Sequence, residues 1–166
     1  FMLVASMNPC PCGYLTDQRR KCQCSSTQVQ RYMGKISGPL LDRIDIHLEV
    51  PALKPLELMQ QHHAEASSEI KKRTVAARGI QQRRFKEAGI FANAQMGQRQ
   101  IKQFCILEKD GQDLLKVAIE ELKLSARAHD KILKVARTIA DLDGLEKISP
   151  QHIAEAIGYR NLDRSW

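Results

Sequence analysis

The stretch Leu124 to Gly144, LSARAHDKILKVARTIADLDG, carries the clearest periodicity in the chain. Apolar residues recur at Ile132, Val135, Ala136, Ile139 and Leu142, with Leu133 and Ala140 beside them. Spacings of three and four put them on one face of an α-helix. Ser125 is a good N-cap and Gly144 a good C-terminal stop, so the pattern predicts a helix over 126–142. Working outward, Asp110 to Leu122 is amphipathic through Leu114, Leu115, Ala118 and Leu122. Ser149-Pro150 opens a last helix over 151–157, with proline in the first turn where its missing N–H costs nothing. Asn93 to Met96 reads as a connection. Upstream, Ser67-Ser68-Glu69 begins a helix reaching Ala88, whose charges (Lys71, Lys72, Arg73, Arg78, Arg83, Arg84, Lys86) fall nearly all round it. Such a helix is usually solvated or bridges domains. These residues predict a small antiparallel bundle of about four helices.

The first fifty residues read differently. Ser37 to Pro51, SGPLLDRIDIHLEVP, alternates Ile44, Ile46, Leu48, Val50 with Asp45, His47, Glu49, the mark of a half-buried strand. Arg43 sits at the strand's entrance, where an arginine paired with Asp42 or Asp45 is the plainest reading. Phe1 to Ser6 is a short apolar run that fits a strand covered on both faces, stopped at Asn8-Pro9. Asn8 is then an amide at the carboxyl end of a buried strand, either capping its own turn or facing a ligand. Ser25-Ser26-Thr27 caps a helix over 28–36, and Gly38-Pro39 breaks it. Pro51, Pro55 and the polar stretch to His63 form a linker, with His62 and His63 as loop residues. The chain thus reads as mainly α: residues 1–54 with two strands and a cysteine-bearing insertion at 9–25, a linker at 55–66, and a helical domain at 67–166.

Four of the five cysteines form C-x-C, nine residues, C-x-C: Cys10, Cys12, Cys22 and Cys24. The polar stretch between the pairs has no core of its own. Four thiolates around one zinc would hold it, and Arg19, Arg20 and Lys21 would offset the charge. Disulfides, an iron–sulfur centre and unbound thiols are the alternatives. Cys105, between Phe104 and Ile106, reads as a small buried hydrophobe.

The net charge of +7 suits a polyanion partner. One Trp, three Tyr and four Phe leave little for stacking on single-stranded bases. No apolar run approaches the length of a membrane span, and the composition points to a cytoplasmic protein without a membrane partner. There is no G-x-x-x-x-G-K-[ST] phosphate loop and no apolar strand ending in Asp-Glu.

The strand ending in Asn-Pro, the NPCPCGY…CQC insertion, the SGPLLDRIDIHLEVP block and the LSARAHDKILKVARTIADLDG block together resemble the magnesium-chelatase-like branch of the AAA+ ATPases, within it the bacterial ComM/YifB type. The resemblance covers essentially the whole chain. It implies a carboxyl-terminal piece of a longer ATPase, with an α/β remnant of the AAA+ core followed by the helical lid. It implies Asn8 as sensor 1, Arg43 as an arginine finger and Arg127 as the sensor-2 arginine. Arg127 otherwise shares a solvated basic face with Lys131 and Lys134. ATP and Mg2+ are the cofactors implied for the parent, with Zn2+ at the cysteines, assembly into a hexameric ring, and DNA as the partner of a branch-migration helicase. Without the phosphate loop and the Asp-Glu pair, this chain is expected to be inactive alone. Two other readings compete: a zinc-stapled helical module that binds nucleic acid or protein by itself, and a chelatase subunit serving metal insertion into porphyrin.

Overall fold

A computed structural model describes residues 2–17, 19–51 and 64–160. The linker around His62 and His63 lies mostly outside these, as does Phe1. Seven α-helices occur among the described residues: α1 (Ser26–Met33), α2 (Gly38–Leu41), α3 (Ser67–Arg84), α4 (Gln98–Phe104), α5 (Lys109–Leu122), α6 (Ala126–Leu142) and α7 (Pro150–Gly158), with a 3-10 turn at Asn93–Gln95. The chain divides into two compact units. Of the described residues, 2–41 and 49–51 belong to the first, and 42–48 with 64–160 to the second.

In the first unit, the cysteine turns lead into α1. Ser25 caps that helix reciprocally: its hydroxyl accepts from the Gln28 backbone, and the Gln28 side chain accepts from the Ser25 N–H. Gly34 closes α1 by donating to the Gln30 carbonyl, two residues before the expected end.

In the second unit, α6 is the axis. Ser125 caps it by accepting from the Ala128 N–H at 3.0 Å. At its far end Gly144, at φ +69°, takes the left-handed turn that lets the Leu145 N–H reach back to the Ala140 carbonyl. Between these caps Ile132, Leu133, Ala136, Ile139 and Ala140 are buried. They meet Leu115 and Ala118 of α5, Ile153, Ala156 and Ile157 of α7, Ile101 of α4, and Phe85, Met96 and Cys105 from the connections. Phe85 and Phe104 pack edge to face at 5.5 Å. Burial pushes the Cys105 thiol up to about 11, so this cysteine is an inert part of the core. The bundle contains one more helix than the sequence predicts. α4 is seven residues long, with Ile101 as its one buried residue, too little for a periodic signal.

A buried polar knot ties α3 to α6. Asp141 receives Arg84 at 2.5 and 2.7 Å, the Asn93 amide at 2.8 Å and Arg137 Nε at 3.2 Å. Burial alone would raise the Asp141 carboxyl, but the bonds from Arg84 and Asn93 hold it below the usual carboxylate range. Arg137 also donates to the carbonyls of Leu145 and Glu146, which satisfies the turn after α6.

The two expected strands are where sequence and structure part. Among the described residues there is no β-strand, only an isolated bridge between Leu107 and Ile148. Met2 to Ser6 takes no regular structure and is exposed, with Met2, Leu3 and Val4 at 87, 67 and 82 %. Ile46, Leu48 and Val50, the parity expected to face a core, are 46, 68 and 88 % exposed, whereas His47 on the polar parity is buried. Alternation creates a strand only where a neighbouring backbone pairs with it. Here His47 makes one such bond, donating to the Tyr159 carbonyl at the end of α7.

Candidate functional site

The four paired cysteines converge. The Cys10 and Cys12 sulfurs are 3.3 Å apart, Cys10 and Cys22 3.7 Å, and Cys12 and Cys22 3.5 Å. All four sulfurs lie within 4.8 Å of one another. A disulfide needs a separation near 2.05 Å, and every cysteine is free. Four sulfurs at about 2.3 Å from a tetrahedral ion would be about 3.8 Å apart, so the cluster fits a four-thiolate metal centre. Local backbone makes this possible. Gly13, at φ +81°, donates to the Cys10 carbonyl at 3.0 Å and turns the chain tightly after the first pair. Asp17 accepts from the Arg19 and Arg20 N–H groups and closes the loop before the second pair. The backbone N–H groups of Tyr14 and then Gln23 favour the Cys12 thiolate and bring its pKa to about 6. Of the basic residues expected to offset the cluster, Arg19 pairs with Asp17 at 3.8 Å and Arg20 donates to the Tyr14 hydroxyl at 2.8 Å.

Asn8 is exposed and lies beside this knuckle: a Cβ on Gly13 would come within 3.8 Å of its amide. It shares the first unit with the cysteines, while the two arginines singled out by sequence fall in the second.

Arg127 reaches the segment that carries Arg43 through Asp42. The Asp42 carboxylate accepts from the Ser125 hydroxyl at 2.8 Å and from Arg127 Nη1 at 3.0 Å. Ser125 therefore works twice, capping α6 and donating to the segment that carries Arg43. Partial burial opposes charge on Asp42, but the bonds from Ser125 and Arg127 lower its pKa all the same. Lys131, one turn along α6, donates to the Arg43 carbonyl at 2.6 Å and pairs with Asp45. Arg160, fully buried, donates to the Ile44 carbonyl. The segment from Asp42 to His47 is thus held at five residues, through the carboxylates of Asp42 and Asp45 and the backbone of Arg43, Ile44 and His47, across the first turns of α6 and the end of α7. Asp42 engages Arg127 and Asp45 engages Lys131. The Arg43 side chain is exposed, and the Arg127 side chain is 56 % exposed.

Sequence reasoning misses the clamp itself. Asp42, Ser125, Lys131 and Arg160 form it, and the partners lie 83 to 116 residues apart, beyond any periodic signal. The one local hint is Ser125 as a cap.

Comparisons with known proteins agree with this layout. The family model described as magnesium chelatase, subunit ChlI C-terminal, matches residues 64–160, and that of magnesium chelatase, subunit ChlI, matches residues 1–58. A protein of Salmonella typhimurium LT2 called "Uncharacterized protein YifB" is 42 % identical over 166 residues, 99 % of this chain and 31 % of that protein. "Competence protein ComM" of Haemophilus influenzae Rd is 40 % identical over 165 residues, again 99 % of this chain and 31 % of the relative. The chain therefore spans about a third of the length of these relatives.

Proposed function

The chain belongs to the magnesium-chelatase family of AAA+ proteins, and from that premise we propose that it supplies the finger, sensor and lid parts of an ATP-driven motor that acts on DNA. The observation that carries the reading is the Asp42 tether, which holds the Arg43 segment against the α6 turn bearing Arg127. Phosphoryl transfer is catalysed chiefly by positioning and by charge placed against the developing negative charge. Arg43, exposed on a pinned backbone, is suited to reach a nucleotide held by a neighbouring subunit of a ring, a hexamer by the family resemblance. Arg127, on the first turn of α6, is suited to follow the lid and to exchange its Asp42 partner for a phosphate. Asn8 would orient the attacking water as sensor 1. Bound ATP and Mg2+ would supply the reacting phosphate and the metal that neutralises it. The helices from Ser67 onward form the lid, and the net charge of +7 supports DNA as the polymer moved.

The cysteine knuckle is best read as a structural zinc site, since its four sulfurs lie within 4.8 Å of one another. It also favours the DNA motor over a porphyrin-chelatase subunit, because the insertion resembles the ComM type. Measuring ATP turnover by the whole protein bearing Arg43→Ala tests the finger. A loss of about 10³-fold or more is expected, with ring assembly intact. Turnover within a few-fold of the unaltered protein sinks the assignment. For the metal, elemental analysis after metal-replete expression should find one zinc per chain, and Cys10→Ser should abolish it. Less than about half an equivalent in the unaltered chain argues against the closed site.

A further inference from the structure

We propose that the outward face of α3 is a docking surface for the phosphate backbone of duplex nucleic acid. The proposal rests on the DNA-motor reading for its partner class but on its own residues for its place. α3 carries six basic residues (Lys71, Lys72, Arg73, Arg78, Arg83, Arg84) against one acidic residue, Glu69, a balance of +5. Neighbouring α5 carries two basic residues (Lys109, Lys116) against four acidic ones (Asp110, Asp113, Glu120, Glu121), a balance of −2. Charge on the second unit is therefore segregated by helix.

Within α3 it is segregated again, by face. The helix meets the core through Ala77 and Gln81, with Arg84 in the buried knot. On the opposite side, positions 71, 75, 78 and 82 form one row and 68, 72, 79 and 83 the next. Those rows hold Lys71, Lys72, Arg78 and Arg83 and no acid, and all four are exposed. The intervening residues, among them Ser68, Val75, Gly79 and Gln82, are small, apolar or uncharged. Among the described residues, two competitors for the cations exist, and both are weak. Lys72 pairs with Glu69 at 2.7 Å with side chains 73 and 53 % exposed, a contact worth little in water. Arg78 donates to the Phe91 carbonyl at 3.1 Å, which leaves its charge unneutralised.

The geometry suits a backbone rather than bases. Lys71 and Arg78 are about 10 Å apart along the axis, and Lys72 and Arg83 about 16 Å, so the four heads reach several phosphates at once. The face carries no aromatic side chain on which an unstacked base could rest, which favours the duplex over the single strand.

The test uses the 166-residue chain and a fluorescently labelled duplex of about two helical turns, titrated at several salt concentrations. Binding should weaken with salt at a logarithmic slope of about −3 to −4, the value for four phosphate contacts. The triple variant Lys71→Ala, Lys72→Ala, Arg83→Ala should flatten that slope by about 3, with unchanged circular dichroism. Lys109→Ala with Lys116→Ala on α5 should leave it in place. A triple variant whose slope stays within about half a unit of the unaltered chain overturns the proposal, while leaving DNA as the motor's polymer. A chain that ignores the duplex but binds polyglutamate assigns the face to an acidic protein and overturns it as well. Neither outcome bears on the Arg43 turnover test, so the two readings fail separately.

Discussion

α3 and α6 are nearly the same length, 18 and 17 residues, and are built to opposite ends. α6 is capped by a side chain at its start, stopped by a left-handed glycine, and buries eight residues. α3 begins after Ala66 with no side-chain cap, buries two, and leaves every residue from Ser67 to Ala76 exposed. One helix is the inside of its unit. The other is attached to it through its last two turns and presents charge to solvent. Hydrophobic burial sets where α6 lies, whereas α3 is held by an ionic knot at Arg84 beside the small contacts of Ala77 and Gln81.

The strongest way to break that contrast is to cut the knot. Asp141→Ala leaves Arg84 and Arg137, with side chains 13 and 3 % exposed, without their shared anion. Losing one partner of a buried pair costs about 3–5 kcal/mol, read as a fall in unfolding free energy in urea. A loss below about 1 kcal/mol would mean that packing at Ala77 and Phe85 holds α3 by itself. The same residue predicts a pH dependence. Its folded pKa is depressed, so its contribution is complete above the unfolded value, near 3.9, and is lost as pH falls through the lower folded value. The unaltered chain should lose stability in that acid window, and Asp141→Ala should lose less.

Next in size is the start of α6. Ser125→Ala removes a cap and a donor to Asp42, and should cost up to about 2 kcal/mol. Because Asp42 also receives Arg127, the variant should loosen the Arg43 segment, seen as faster amide exchange at His47, whose N–H bonds the Tyr159 carbonyl. Unchanged exchange there would show that Lys131 and Arg160 suffice. A methyl group separates the helices more finely. Ile132→Val, at a position with no exposed surface, should cost about 1 kcal/mol. Val75→Ala on α3, 61 % exposed, should be neutral or stabilise by up to about 0.5 kcal/mol, because alanine is the better helix former.

The same contrast separates the features that are legible in the amino-acid sequence from those that are not. α6 is legible in its cap, its glycine stop and most of its stripe, which are local signals that burial then enforces; Leu142, read as part of that stripe, is 41 % exposed. The cysteine knuckle is legible for the same reason: its four cysteines lie within fifteen residues (10 to 24) and converge through two short turns. The character of α3 is legible as the lack of a stripe. Signals that need a distant partner fail. Ile44 to Val50 alternates correctly, yet it pairs with no strand among the described residues and exposes Ile46, Leu48 and Val50 of its apolar parity. The Asp42–Arg127 tether joins residues 85 apart and follows no period. Asn8, Arg43 and Arg127 stand out through family resemblance, and the structure adds that the two arginines share a clamp.

A change at Gly79 sharpens the comparison most, because stability and binding should move in opposite directions. Gly79 lies in the interior of α3 on its outward side, where a Cβ would meet only Arg83 Nη1 at 3.5 Å, an ordinary contact. Its helical backbone needs no glycine. Gly79→Ala should therefore raise stability by about 0.5–1 kcal/mol through the entropy of the unfolded chain. The glycine serves no purpose on a face that merely meets water. On a face that meets a phosphate backbone, its missing side chain brings the helix closer to the duplex. A more stable variant with weaker duplex binding at fixed salt is the expected outcome. A more stable variant with unchanged binding would mean that the lysines and arginines reach the phosphates with the helix itself standing off, and that close approach plays no part.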